Sequence, residues 1–142
     1  MGRVRTVLFV CAENSFRSIV AEAYFNKYAT GEWRAVSAGS SPAQAVHPTA
    51  VELMREEGIE LGNRKPRPLT RELLEEADMV VVVCGEACPL IHVPAERWEL
   101  PNPANLELEE ARKVVKEIKR RVLELVGRLG TLEGRRRLNP VL

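Results

Sequence analysis

From Val4 to Val10 the chain is apolar and β-branched except at Arg5 and Thr6, which predicts a buried first strand. Polar Glu13, Asn14 and Ser15 break it. Between Arg17 and Tyr28 the spacing turns helical, with Ile19 and Ala23 set against Glu22, Asn26 and Lys27. Trp33 to Ala38 predicts a second strand, stopped by Gly39-Ser40-Ser41-Pro42. Pro48 suits the first turn of a helix through Glu57, with His47 expected to cap it and Gly58 to end it. Asn63 to Pro68 reads as loop, and Thr70 as the N-cap of a short helix through Glu76. The continuous run Met79 to Val83 is too short for a helix and predicts a central strand buried on both faces. Arg97 to Leu100 is a weak fourth strand. Leu106 to Leu129 is strongly amphipathic, carries Glu107, Glu109 and Glu110 in its first turns, and closes at Gly130.

Strands alternating with helices predict a parallel α/β sheet, whose ligands bind beyond the carboxyl ends of the strands. With 142 residues, one domain over 1–130 is expected, followed by a short basic tail at 131–142 that carries Arg135, Arg136 and Arg137. The formal net charge of +1 supplies no global field for nucleic acid or an anionic membrane. The longest apolar runs are six residues, too short for a bilayer span or a signal-peptide core. The expectation is a cytoplasmic monomer with neither partner. Three cysteines, Cys11, Cys84 and Cys88, are an odd and small set that fits a reducing compartment better than a disulfide framework. All three fall at or just after the ends of predicted strands.

Cys11 to Arg17 spells Cys, five residues, Arg, followed by Ser18, at a strand-to-helix junction. A loop there can turn its N–H groups inward as an anion nest completed by the helix N-terminus. The oxyanion-binding loop is therefore read as Ala12, Glu13, Asn14, Ser15, Phe16 and Arg17. Arg17 adds a planar charged fork matched to tetrahedral oxyanions. Cys11, on the rim of this positive site, is the expected nucleophilic thiolate. Ser18 is placed to donate a hydrogen bond to it, and Asn14 to brace the loop.

With these residues, the chain resembles the low-molecular-weight protein tyrosine phosphatase superfamily, and within it the thioredoxin-coupled arsenate reductases. The resemblance runs from about Thr6 to Leu129 and includes Val36-Ser37-Ala38-Gly39, Cys84-Gly85, Cys88-Pro89, Trp98 and Asn102-Pro103-Ala104. It implies a four-stranded parallel sheet in the order 2-1-3-4, flanked by helices in a three-layer sandwich.

Both activities start with attack by Cys11 on a bound arsenate or phosphate, with Arg17 and the loop amides steadying the transition state. The resemblance to the reductases implies a three-cysteine relay: Cys84 displaces arsenite from Cys11, Cys88 attacks Cys84, and thioredoxin or a similar protein reduces the product. Cys84 alone reads equally well as a buried strand thiol. Only Gly85-Glu86-Ala87 separates the pair, a shorter stretch than these relatives carry. The alternative is a phosphatase that hydrolyses phosphomonoesters through a phosphocysteine. Asn102 stands where the family carries an acidic proton donor, and an amide cannot play that part. Glu99 or Glu96 remain as substitutes. Asn102 also reads as a cap for the last helix, with Pro103 at its first position.

No bound cofactor is expected, and no metal. His92 lies near Cys84 and Cys88, but a zinc site lacks a fourth ligand of obvious spacing. Some related reductases bind potassium near the loop. Here Arg67 stands at the place of an acidic ligand, so no potassium is expected and Arg67 is expected to pair with Glu22.

Overall fold

A computed structural model describes residues 4–85, 89 and 91–130. The elements run β1 (Arg5–Cys11), α1 (Arg17–Tyr28), β2 (Trp33–Gly39), α2 (Pro48–Arg55), α3 (Arg71–Glu76), β3 (Met79–Cys84), β4 (Glu96–Glu99) and α4 (Leu108–Arg128), with a 3₁₀ turn at Pro103–Asn105. The four strands are all parallel and lie in the order β2-β1-β3-β4. The expected basic tail lies outside the described residues.

Strand alternation sorts the core onto two faces. Val7, Phe9, Val81, Val83 and Trp98 face a layer built from α1, α2 and α4. Leu8, Val10, Val80, Val82 and Cys84 face the other side, covered by Leu73, Leu74 and the segment around Ile91 to Ala95. Both faces are therefore closed, and this explains the unbroken apolar runs of β1 and β3. The long helix α4 buries Ala111, Val114, Val115, Ile118, Val122, Leu125 and Val126, a 3.6-residue stripe. Each large apolar side chain so buried contributes roughly 1.5–3 kcal/mol.

The ends of the elements follow local chemistry. The His47 ring nitrogen accepts from Thr49 N–H at 3.1 Å and caps α2, and Thr70 caps α3 through Leu73 N–H. Gly58 and Gly130 take positive φ after α2 and α4. The last helix begins two residues later than its polarity pattern predicts. Asn102 caps only the 3₁₀ turn, and Glu107 is the N-cap residue of α4. Among the described residues no helix is long and apolar enough to cross a membrane.

Candidate active site

The carboxyl ends of β1 and β3 lie side by side at the sheet centre, with Val10 opposite Val82. Cys11 closes β1 and Cys84 closes β3. After Cys11 the chain makes one tight loop and enters α1 at Arg17.

What shapes this loop is the treatment of its carbonyls. Those of Cys11, Ala12, Glu13 and Ser15 accept from the N–H groups of Ser40, Ser41, Ala43 and His47, at 3.2, 2.7, 3.0 and 2.9 Å. The strap that follows β2 thus draws the oxygens outward and leaves amides for the concave side. Gly39 is where the strap comes closest: a Cβ there would lie 2.6 Å from Ala12 O and 2.8 Å from Asn14 N. The N-terminus of α1 carries no side-chain cap and no acidic residue in its first turn, so its amides keep their positive end open to an anion.

The loop forms one wall of a cavity of about 760 Å³; Gly85 and the stretch from Glu99 to Asn102 form the other. Arg17 ties the walls together, donating from Nη1 to Leu100 O at 3.0 Å. Burial lowers the pKa of its guanidinium from the ordinary value, while the Cys11 sulfur and the Glu13 carboxylate act in the opposite direction. An arginine shifted this way remains charged at neutral pH. Cys11 is a free thiol, 2% exposed. Its Sγ lies 2.9 Å from Ser18 Oγ and accepts from Asn14 N–H at 3.3 Å.

Asn14 is the one loop residue whose side chain turns away from the cavity, and it holds a positive φ of 52°. Its amide nitrogen donates to Ser18 Oγ and Ser37 Oγ, and its oxygen accepts from Arg67 N–H at 2.7 Å. Ser37 in turn donates to Glu22, and Glu22 pairs with Arg64. The expectation that Arg67 pairs with Glu22 is corrected here. Arg67 braces Asn14 through its backbone, and Arg64, three residues earlier, carries its charge to the carboxylate.

This loop, its arginine and its sheet position invite comparison with known proteins. The family model for low molecular weight phosphotyrosine protein phosphatases matches residues 6–134. The chain belongs to that family. An arsenate reductase of Bacillus licheniformis is 37% identical over 114 residues, which is 77% of this chain and 81% of the relative. A solved arsenate reductase of Archaeoglobus fulgidus superposes with a TM-score of 0.76 at 39% identity, covering 85% of this chain and 98% of that one. A thioredoxin-dependent arsenate reductase of Corynebacterium glutamicum gives 0.71 at 33%, covering 87% of this chain and 61% of its own.

The remaining candidates are distributed as follows. Cys84 is fully buried and engaged in a disulfide. Cys88 lies outside the described residues. Asn102 lines the cavity, but its side-chain oxygen accepts from Ala104 N–H at 3.0 Å. Of the two substitute acids, Glu99 lines the cavity, while Glu96 is held elsewhere by Trp98 and Arg128. Hydrogen bonds from those two groups lower the pKa of Glu96, outweighing the larger single effect of burial, which raises it. Among the described residues no group of three or more His, Cys, Asp and Glu side chains is arranged to hold a metal ion. Sequence reasoning missed the strap from Ser40 to His47 and the part of Arg64. The small residues after β2 were the available signal for the strap. For Arg64 there was none, because a loop arginine reads as solvated.

Proposed function

We propose that this protein is an arsenate reductase that uses Cys11, Cys84 and Cys88 in a thiol–disulfide relay and draws its electrons from a thioredoxin-class dithiol protein. The carrying observation is the pair of thiol positions at adjacent strand ends: free Cys11 at the head of an anion loop, and Cys84 already in a disulfide. That is the distribution of thiols a completed relay leaves behind.

Arsenate binds against the loop amides and the Arg17 fork, whose two N–H groups match two arsenate oxygens. Cys11 Sγ, as thiolate, attacks arsenic and displaces one oxygen as water after protonation. An S–As bond forms and arsenic remains in the +5 state. The Cys84 thiolate then attacks Cys11 Sγ. The S–As bond breaks with its electron pair left on arsenic, so arsenite departs in the +3 state and a Cys11–Cys84 disulfide remains. The Cys88 thiolate attacks Cys84 and releases Cys11 as thiolate. Two electrons from the external dithiol reset the pair. No step needs a general acid for an alkoxide, which fits an asparagine at position 102.

The second reading, hydrolysis of phosphomonoesters, is favoured by one observation: Glu99 is among the residues that line the cavity, and a carboxyl there could give a leaving oxygen its proton. Arsenite release with thioredoxin, its reductase and NADPH separates the two. The relay expects repeated turnover by the wild type, no arsenite from Cys84→Ser and no more than one per chain from Cys88→Ser. Rapid hydrolysis of p-nitrophenyl phosphate that survives Cys84→Ser, with no arsenite formed, would establish the phosphatase.

A further inference from the structure

The charges around the cavity are not simply opposite to those of an anion. Among the described residues that line it, Arg17 is the one cation, while Glu13 and Glu99 both carry carboxylates. Glu13 belongs to the oxyanion loop itself. Its carbonyl is turned outward to Ala43 N–H at 3.0 Å, and the residue lines the cavity. Ser15, two positions further along the loop, is 6% exposed and donates from Oγ to Glu13 Oε1 at 3.4 Å. The Glu13 charge is also felt at the Arg17 guanidinium, where it acts against the effect of burial. The carboxylate therefore lies at the mouth of the nest, beside groups that receive the anion.

Donors and acceptors sort the anions that such a site can take. The loop amides, the open end of α1 and Arg17 can only donate. A carboxylate can only accept, and Ser15 has turned its single hydrogen towards that carboxylate. Both side chains thus present lone pairs, and an oxyanion beside them is satisfied only where it carries a hydrogen of its own. Arsenate and phosphate keep one at neutral and mildly alkaline pH. Sulfate has the same shape and, at pH 8, the same charge of minus two, but no hydrogen. A site built around a hydrogen bond rejects an analogue that lacks the hydrogen, because its polar group is left facing another acceptor. We propose that Glu13 is a specificity-determining residue: its carboxylate accepts the hydrogen of a protonated oxyanion and so selects arsenate and phosphate against sulfate. The proposal deepens the arsenate-reductase reading and rests on the loop being its anion site.

The test needs no arsenate. Reduced full-length protein is titrated calorimetrically at pH 8 and constant ionic strength with inorganic phosphate and, separately, with sulfate. Both ions are dianions there, so a purely Coulombic effect moves both alike and only the hydrogen tells them apart. Wild type is expected to bind phosphate roughly tenfold to thirtyfold more tightly than sulfate, the worth of one hydrogen bond to a charged group. Glu13→Gln offers an amide that can donate, so sulfate should tighten and the preference should fall to within about threefold. Glu13→Ala, which removes the acceptor without adding a donor, should lower the preference in the same direction. The Glu13 side chain is exposed, so neither change disturbs the core. Equal affinity of the wild type for the two ions would overturn the proposal. So would an unchanged preference in both variants, a parallel tightening of both ions included, because Glu13 would then act as a charge alone. Failure of the wild type to bind either ion would overturn it together with the reading of the loop as an anion site. If selection follows the expected pattern while no arsenite is ever formed, the arsenate-reductase reading fails and the role of Glu13 stands.

Discussion

Asn14→Ala tests how firmly the loop is locked. The substitution removes three hydrogen bonds, to Ser18, Ser37 and Arg67 N–H. At about 1 kcal/mol each, they amount to ~3 kcal/mol. The backbone at this position has φ of 52°, and an alanine held there costs roughly 1–2 kcal/mol. The expected loss is therefore about 4–5 kcal/mol, a large share of the ~5–15 kcal/mol that a domain of this kind has in total. Urea unfolding followed by fluorescence suits the chain, since buried Trp98 packs on Phe9 at 5.6 Å. Asn14→Gly, free of the steric cost, should recover about 1 kcal/mol relative to alanine. A loss below ~1.5 kcal/mol for alanine, with glycine no better, would refute this account of the loop.

Gly39→Ala places a methyl group under 3.0 Å from three backbone atoms of the loop, so stability should fall by roughly 1–3 kcal/mol and phosphate binding should weaken with it; calorimetry and thermal melts would check both. Arg17→Lys keeps the charge but loses the fork and the tie to Leu100 O, and kcat/KM for arsenate should fall by about 10²–10³ with the fold intact. Hydrogen bonds from Arg120, then Arg121, hold the Glu117 carboxyl at about 2, below its ordinary 4.5. A depressed acid contributes stability above its unfolded value and loses it as pH falls. The difference in Tm between wild type and Glu117→Gln should therefore be full above pH 4.5 and shrink towards pH 2.

Much of this architecture is legible in the amino-acid sequence. The runs at β1 and β3 are apolar without alternation because helices cover one face of the sheet and α3 and its neighbouring loop the other. The stripe of α4 is unambiguous because its period persists for 21 residues. The sheet order 2-1-3-4 came through resemblance; strand polarity alone would not have ranked the strands. The site was legible as far as local spacing reaches: Cys11, Arg17 and Ser18 lie within eight residues of one another. Contacts set by tertiary approach were not. Glu22 has two arginines to choose from in the stretch 64–67, and sequence position cannot tell which side chain turns inward. Asn102 was expected to begin the last helix, yet Pro103 to Asn105 make a separate turn before Glu107 starts α4. The brace that draws the loop carbonyls outward is made of backbone amides, which no residue type announces.

The relay itself is tested most directly by a single turnover without thioredoxin. Protein is reduced, freed of reductant and mixed with excess arsenate, and arsenite and disulfides are counted. The account expects one arsenite per wild-type chain, because two thiols supply the two electrons and the disulfide then moves to Cys84–Cys88. Cys88→Ser should also release one arsenite and stop as a Cys11–Cys84 disulfide, whereas Cys84→Ser should release none. One arsenite per chain from Cys84→Ser would contradict the relay.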